Sequence, residues 1–345
     1  MVMRRSAIAL GFATALVCSA ILSAQGERKL NDTEKKEFQA IVKVVDGPAT
    51  SQPTTNEMGL AWVHSDLLKA QGTMQYVPFT VSLDTSKFTS RNVSLYWRVV
   101  ATNPADAKDD NAKDNNAKDN KKKAYAYEDL TSVNLEGTSG VANLHRSFTV
   151  TPGAYDVVLV AKEPPARDKK APAPKMSMIH QDVDIPDLWN DELTTSTVIV
   201  AKSIEPLAAP LTPQQQAERP YAMGTMEIVP LLGTRFTKQT ELSTFMLIYN
   251  AKTDAANKPD VTVEYNFYVK QAGAEKFFNK TNPQSLNAQT LPPQFDFAAG
   301  HQLQSGQAVP LATFPEGDYR LEIKVTDKLA SKTITRDINF TVAGS

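Results

Sequence analysis

The chain has 345 residues, a formal net charge of −1 and a single cysteine. Its hydrophobic share of 41% is enough to fill real cores, and its length favours about two domains. A charge balance this close to neutral argues against nucleic acid as a partner, because phosphate binding needs a concentrated basic surface.

The N-terminus has the features of a secretory signal peptide, which we assign to residues 1–25. A pair of arginines precedes an apolar run over 8–22, and small residues follow as a cleavage site. Cys18 lies inside the apolar run, so the mature chain is expected to form no disulfide and to have no thiol chemistry. The sequence therefore predicts a periplasmic or secreted protein that would contact a membrane only through an uncleaved signal.

A helical N-terminal segment is predicted over residues 26–72. Asn31 or Asp32 can cap a helix, and apolar residues then recur at helical spacing up to residue 45. The apolar run over 60–69 is also interpreted as helical. We expect the first helix to pack on the neighbouring domain, and binding of a partner is the alternative.

Short segments with alternating polarity predict a first β-sandwich over residues 73–203, closed by a strand at 198–200. Two polar inserts, at 103–123 and 163–175, are predicted to be mobile loops. The first insert has no apolar residue larger than alanine to offset the entropy of ordering it. Residues 204–220 are rich in proline and glutamine and predict a linker.

The best-patterned stretch is 314–327, where a Pro/Gly turn leads into a strand that alternates apolar and charged residues. An earlier copy occurs at 148–162. The shared positions are assigned a structural role, with the two tyrosines as tyrosine corners: Gly153, Tyr155, Gly317 and Tyr319.

Two copies of this stretch predict two similar domains, the second over residues 221–345. The predicted fold class is mainly β, with two tandem immunoglobulin-like antiparallel β-sandwiches preceded by a short helical segment.

The sequence contains no strong metal motif, since its four histidines lie outside ligand spacing of one another. The densest acidic cluster provides weak calcium candidates, because carboxylate oxygens are the ligands that calcium prefers. Its members are Asp182, Asp184, Asp187, Asp191 and Glu192. A solvated turn is the alternative interpretation, and we expect no cofactor.

No nucleophile elbow, phosphate loop or paired-carboxylate motif occurs, so the chain is predicted not to be an enzyme. An unrecognised hydrolase remains open as an alternative. A carbohydrate-binding module is another, with Tyr96 and Trp97 or Tyr265, Phe267 and Tyr268 as its aromatic residues. Because neighbours on a strand point to opposite faces, some of these aromatics are expected in the core.

Several segments resemble a known bacterial pattern. They are Ile185–Leu188 with Leu193–Ala201, Arg219–Pro230, Leu247–Asn250, Val261–Tyr268 and Phe314–Leu321. Together they resemble the β-sandwich region downstream of the von Willebrand factor A domain in exported acidobacterial proteins. The resemblance covers roughly the second half of the chain and implies fold and export. The chain lacks that domain itself, so the resemblance implies no metal-dependent adhesion and no functional residue.

The export signal, the repeated strand plan and the missing catalytic motifs together predict a binding or scaffolding protein. We expect it to act through protein–protein contacts in the bacterial envelope, with another envelope or extracellular protein as its partner. Exposed loops and strand edges are the expected contact surfaces.

Overall fold

The computed structural model describes residues 30–48, 56–103, 125–165, 170, 172–271 and 273–344. The predicted signal peptide lies outside the described residues. So do all but Asn103 of the first predicted mobile loop and residues 166–169 and 171 of the second. Within the described ranges, no helix is both long and apolar enough to cross a membrane.

The chain divides into two compact units. Among the described residues, the first unit comprises 30–191 with 212–221, and the second comprises 192–211 with 222–344. In each unit two mainly antiparallel sheets enclose one hydrophobic core. This architecture, with a helix near the N-terminus, confirms the predicted fold class.

The first unit contains two helices and two sheets. Its elements are α1 (Asp32–Val45), β1 (Ala61–Ser65), β2 (Leu68–Lys69), β3 (Gln75–Asp84), β4 (Asn92–Ala101), β5 (Tyr127–Asn134), β6 (Val141–Val150), β7 (Gly153–Lys162), β8 (Met176–Ile185) and α2 (Pro213–Glu218). Sheet I has β3 paired with β1, β2 and β6, and sheet II has the order β5-β4-β7-β8. This strand order is that of an immunoglobulin-like sandwich. The indole of Trp97 crosses the core and donates to the Ser147 carbonyl at 3.2 Å.

The run over 60–69, predicted as helical, forms strands β1 and β2 instead. Ala61–Ser65 pairs with β3, and the Trp62 ring stacks on Phe79 with 4.9 Å between centroids. The helical prediction was wrong because β3 offers this short segment backbone partners and a core contact, which outweigh its local preference.

Helix α1 covers part of the outer face of sheet II. Asn31 caps it, with its side chain accepting from the Glu34 amide at 2.9 Å. Ile41 is fully buried in a small cluster with Tyr96, Leu130 and Val160. The apolar stripe of the helix is therefore used within its own unit, as the packing interpretation predicted.

The second unit contains the remaining strands. They are β9 (Thr194–Thr195), β10 (Ile199–Pro206), β11 (Ala222–Met223), β12 (Met226–Pro230), β13 (Arg235–Thr237), β14 (Glu241–Tyr249), β15 (Val261–Gln271), β16 (Ala274–Lys280), β17 (Gln284–Leu286), β18 (Leu303–Pro310), β19 (Gly317–Asp327) and β20 (Lys332–Ala343). Sheet III has the order β11-β12-β10-β14-β18, with β9 also on β14. Sheet IV has the order β13-β20-β19-β15-β16, with β17 also on β15. The pair β13–β20 is parallel.

The segment between the units differs from the sequence expectation. The strand predicted to close the first sandwich pairs with β14 of the second unit, where Ile199 lies opposite Phe245. The segment predicted as a linker contains the end of this strand and helix α2. We call residues 212–221, which belong to the first unit, the strap.

Candidate functional site

The two tyrosines chosen from the sequence make matching contacts at the start of β7 and β19. The Tyr155 hydroxyl donates a hydrogen bond to the Thr151 carbonyl at 2.8 Å. The Tyr319 hydroxyl donates to the Pro315 carbonyl, also at 2.8 Å. Both rings are buried. This is the contact of a tyrosine corner, in which the hydroxyl fastens the strand to the turn that precedes it.

The two glycines begin these strands with unusual backbone angles. Gly153 has φ of 154° and Gly317 has φ of 151°, values that side chains rarely tolerate. A Cβ at Gly317 would meet no atom within 4 Å. Backbone strain, rather than crowding, is therefore what favours glycine at position 317.

A buried carboxylate follows the first tyrosine corner, and our sequence analysis missed it. Glu163 accepts hydrogen bonds from the amides of Thr89 at 2.7 Å, Ser90 at 2.8 Å and Lys175 at 3.0 Å. Burial alone would raise the pKa of Glu163, but these backbone donors outweigh it and lower the pKa. The carboxylate thus holds the turn before β4 against the end of β7.

Asp327 has the matching role in the second unit. Its fully buried carboxylate accepts from the amides of Lys252 at 2.7 Å, Leu329 at 3.0 Å and Ala330 at 3.1 Å. The separation between Tyr155 and Glu163 equals that between Tyr319 and Asp327. That equal spacing was the signal in the sequence that could have identified both residues.

The predicted calcium candidates are spread over a strand and the chain that follows it. Asp182 and Asp184 lie exposed on β8, rather than in a turn as we expected. Asp187 accepts from the Trp189 amide at 2.7 Å and forms a local turn. Asp191 is exposed and has a positive φ of 60°.

Glu192, the last candidate, lies in the second unit, and its carboxylate lies 4.0 Å from the Lys332 ammonium. Across the described parts of both units, no group of three or more His, Cys, Asp or Glu side chains is placed to hold a metal ion. Calcium binding by this cluster stays a prediction that no described ligand group supports.

The four histidines lie at separate places in the fold, except for His64 and His145. His180 Nδ1 lies 2.8 Å from Asp156 Oδ2 on the neighbouring strand, and His301 Nδ1 accepts from the Asp296 amide at 3.0 Å. The other two, His64 and His145, belong to a single polar cluster on sheet I.

This Asp66 cluster lies on the outer face of sheet I, under the strap. The Asp66 side chain is fully buried, and its Oδ2 lies 3.0 Å from His64 Nε2. The Tyr221 hydroxyl donates to the same oxygen at 2.7 Å. His145 stands edge-on to the Tyr221 ring, with 5.9 Å between centroids, and its Nδ1 lies 2.8 Å from the Thr80 hydroxyl.

Two tyrosines in this region, Tyr221 and Tyr76, have raised pKa values that keep their hydroxyls protonated. Burial raises the pKa of Tyr221, and the charge of Asp66 and its hydrogen bond raise it further. Burial also raises the pKa of Tyr76 to about 12, and this hydroxyl donates to the Pro220 carbonyl at 2.9 Å. Both phenols therefore act as hydrogen-bond donors that fix the strap.

The pKa of His64 is also raised. Its hydrogen bond with Asp66 is the largest influence, partial burial opposes it, and attraction by the carboxylate charge adds to it. Sequence analysis missed this cluster because its members are far apart in the chain and form no motif.

A cluster of a different kind lies at the surface of the second unit, on the outer face of sheet IV. We call Tyr268, Phe277 and Arg320 the aromatic patch. Tyr268 on β15 lies directly opposite Phe277 on β16 and Arg320 on β19. The two rings meet edge to face with 5.9 Å between centroids, and the guanidinium lies 4.5 Å above the Tyr268 ring. Phe277 is 58% exposed.

The aromatics proposed for carbohydrate binding are mostly in the cores. Tyr96, Trp97, Tyr265 and Phe267 are all buried. Only Tyr268 reaches the surface, as the alternation of β15 predicts. Phe277, which our sequence analysis did not select, is its exposed neighbour.

No known family model matches the chain, and no curated protein matches it. Among solved structures, a mutant Salmonella alpha-2-macroglobulin is 11% identical, with a TM-score of 0.21 over 85% of this chain and 17% of its own. Red sea bream transglutaminase is 10% identical, with a TM-score of 0.20 over 92% of this chain and 35% of its own. A purple acid phosphatase from yellow lupin is 11% identical, with a TM-score of 0.23 over 85% of this chain and 40% of its own.

The chain thus spans less than half the length of each of these structures. Similarities this weak carry no argument about function. The resemblance to proteins with a von Willebrand factor A domain stays a prediction.

Proposed function

We propose that the chain is an exported, non-enzymatic binding or scaffolding protein that acts through protein–protein contacts in the bacterial envelope or outside the cell. The aromatic patch carries this proposal, because Phe277 is exposed beside Tyr268 and Arg320. Aromatic and arginine side chains are the types that dominate binding energy at protein interfaces.

The setting of the patch supports binding to a partner. Tyr268 and Arg320 lie in register on adjacent strands of sheet IV, so paired backbone holds their spacing. Arg320 is further held by three carboxylates, which reduces the side-chain entropy that binding would cost. Surface aromatics held in place in this way suit recognition better than catalysis.

The buried polar groups support a non-enzymatic role. Glu163 and Asp327 accept backbone amides, and Asp66 holds the strap through Tyr221. These side chains hold turns and segments in place, which is a structural use of groups that could otherwise serve acid–base chemistry.

Export is the part of the proposal that depends on the N-terminal sequence, whose apolar run and flanking residues fit a signal peptide. Fractionation of cells that express the full chain should place it in the periplasm or the medium. Its N-terminus should then lie near residue 26. A full-length chain in the cytoplasmic fraction would contradict export.

We also infer that the two sandwiches are tandem repeats of one plan. Gly153, Tyr155 and Glu163 on β7 have counterparts at a constant distance along the chain in Gly317, Tyr319 and Asp327 on β19. Each tyrosine bonds a carbonyl four residues earlier, and each carboxylate accepts amides from the turn before the adjacent strand. Matching positions with matching contacts support duplication.

Capture experiments from envelope extract test the proposed function. Mature wild-type protein, Phe277→Ala and the control Leu329→Ala should be immobilised in parallel. Leu329 is 37% exposed in the turn between β19 and β20 and lies outside the patch. We expect wild type and the control to retain a common protein that Phe277→Ala loses. Equal capture by all three would contradict binding through the patch.

A carbohydrate-binding module is the second candidate, and the exposure of Phe277 beside Tyr268 on one face favours it. Aromatic rings bordered by polar side chains are a common way to bind ligands with both apolar and hydroxyl surfaces. A glycan array probed with wild type and Phe277→Ala distinguishes sugar binding from protein binding by the patch. Signals lost in the variant would favour sugar over protein, and an array without signals would remove this candidate.

A further inference from the structure

Strand β8 forms one end of sheet II, so one of its two backbone edges faces away from β7. The Glu163 amide donates to the Lys175 carbonyl at 2.9 Å, which fixes the hydrogen-bond pattern between β7 and β8. In an antiparallel pair, each residue directs both of its backbone groups to the same side, and successive residues alternate. Odd-numbered residues of β8 therefore bond β7, and the residues that face the free edge are Met176, Met178, His180, Asp182 and Asp184.

The backbone along this free edge is open. Within the part of the chain that the structure describes, no acceptor bonds the amides of Met178, His180, Asp182 and Asp184. The His180 ring is held towards β7, because its Nδ1 lies 2.8 Å from Asp156 Oδ2. The Asp182 carbonyl accepts from the Gln181 side chain of the same strand at 2.9 Å, which leaves the amides available.

The other long edge strands of the first unit have edge groups that are already bonded. On β5, the Leu130 amide faces away from β4 and donates to the Asp129 carboxylate at 2.7 Å. On β6, the Ser147 carbonyl faces away from β3 and accepts from the Trp97 indole at 3.2 Å. The edge of β8 is therefore the more open template for another strand.

The sequence of β8 does not protect this edge in the usual ways. Proteins commonly block an exposed edge strand with lysine, proline or a bulge. β8 contains no lysine and no proline, and its 10 residues pair with β7 without a break in register. Beside the edge, Ile179 and Val183 pack on the core but remain partly exposed. An added strand would complete the hydrogen bonds of β8 and cover these two side chains.

The order of side chains along β8 suits pairing with a second copy of the same strand. On the outer face, methionines occupy one end and aspartates the other, with His180 between them. Antiparallel pairing about a two-fold axis at His180 places Met178 opposite Asp182 of the second copy. Like charges that face each other destabilise paired strands, and this arrangement keeps the aspartates of the two copies apart. Parallel pairing in register would place them side by side.

We propose that β8 pairs with β8 of a second copy of this chain, antiparallel about a two-fold axis at His180, so that sheet II continues across a dimer. The pairing includes Met178 to Asp182 of each copy, and both copies supply the same surface, as in other two-fold dimers. This inference goes beyond the proposed function, because it does not involve the aromatic patch on sheet IV.

Light scattering during size-exclusion chromatography of the mature protein measures its mass over a range of concentrations. We expect the mass to rise from that of one chain towards twice that value as the concentration increases. Asp182→Pro removes an amide from the free edge, where proline leaves the bonds to β7 in place. Each dimer loses two hydrogen bonds, so dimerisation should weaken about tenfold or more.

Ser132→Pro is the matched control for Asp182→Pro. It removes an amide that faces away from β4 at the free edge of β5, the opposite end of the same sheet. This variant should dimerise like wild type, and so should Phe277→Ala, which alters the aromatic patch. Circular dichroism confirms that each variant is folded.

Cysteine substitutions test the register and do not depend on the proline variants. The single cysteine of the chain, Cys18, lies in the predicted signal peptide. Opposite residues of a hydrogen-bonded pair have Cα atoms about 5.5 Å apart, which a disulfide can span. His180→Cys should therefore give a disulfide-linked dimer under oxidising conditions. Asp184→Cys should not, because its two copies would lie more than about 20 Å apart along the paired strands.

The inference is overturned if wild type keeps the mass of one chain at every concentration, or if the two proline variants affect the dimer equally. It is also overturned if Asp184→Cys links two copies as readily as His180→Cys does. In envelope extract, a disulfide from His180→Cys to a different protein, without a linked dimer, would contradict a second copy as the partner. Failure of the proposed function is separate, since it appears as capture that is indifferent to Phe277.

Discussion

The Tyr221 hydroxyl donates a hydrogen bond to Asp66 Oδ2 at 2.7 Å, joining residues 155 positions apart in the chain. Tyr221 ends the strap, and Asp66 follows β1 on sheet I. Helix α2 of the strap has no buried residue, so packing of its own side chains does little to hold it. Hydrogen bonds made by Tyr221 and by Tyr76, whose hydroxyl donates to Pro220, therefore help to fix the strap.

Removing the Tyr221 hydroxyl should destabilise the first unit. Tyr221→Phe takes one donor from a buried carboxylate, and hydrogen bonds to charged groups contribute about 1.5–3 kcal/mol. Urea unfolding followed by tryptophan fluorescence measures the change, since all three tryptophans lie in the first unit. Tyr268→Phe is the matched control and should leave that transition within about 0.5 kcal/mol of wild type. An equal effect of both variants would contradict the role of the Tyr221 bond.

His64 should make the stability of the first unit depend on pH. Because the pKa of His64 is raised by Asp66, the folded protein holds this proton more tightly than the unfolded chain. Its contribution is fully present below the unfolded pKa of about 6.5 and is lost as pH rises through the higher folded value. His64→Gln should flatten the stability profile across this interval. If His64→Gln kept the same change of stability with pH as wild type, His64 would not be the source of that change.

Glu163 should also make the stability of the first unit depend on pH, but in the opposite direction and in the acidic range. Its lowered pKa means that its contribution is present above the unfolded pKa of about 4.3 and is lost as pH falls through the folded value. Glu163→Gln should cost about 1–3 kcal/mol near neutral pH, because an amide replaces the carboxylate as acceptor. The difference from wild type should shrink as the pH falls, measured by urea unfolding. A difference that stays constant down to acid pH would count against the mechanism.

The two tyrosine corners should stabilise their own units by similar amounts. Tyr155→Phe and Tyr319→Phe each remove one hydrogen bond to a backbone carbonyl, which contributes about 1 kcal/mol. Tryptophan fluorescence follows the first variant, and amide hydrogen exchange in β19 follows the second. We expect faster exchange in β19 for Tyr319→Phe. Unchanged exchange there would show that the hydroxyl contributes nothing.

Local patterns made the strands of both sandwiches predictable. Along β19, Tyr319, Leu321, Ile323 and Val325 are fully buried, as their alternation predicts. The tyrosines could be chosen from sequence because the turn and the tyrosine are adjacent. β1 was misassigned because a short apolar run does not distinguish the spacing of a helix from that of a strand. Its pairing with β3 makes it a strand.

The long-range contacts and the exposed aromatic ring were not predictable in the same way. The Asp66 cluster and the hydrogen bonds accepted by Glu163 depend on backbone and side chains brought together from distant segments. Phe277 lies on a strand in which every residue except Phe278 is exposed, because β16 is at the end of sheet IV. Its exposure follows from that position in the sheet, which the sequence pattern does not encode.

Site-specific photo-crosslinking in living cells tests the binding role most directly. A benzophenone amino acid in place of Phe277 samples the aromatic patch, and the same group in place of Leu329 samples an exposed site outside the patch. We predict a discrete crosslinked protein from position 277 that position 329 does not yield. Equal crosslinking from both positions, or adducts from position 329 with none from position 277, would contradict binding through the aromatic patch.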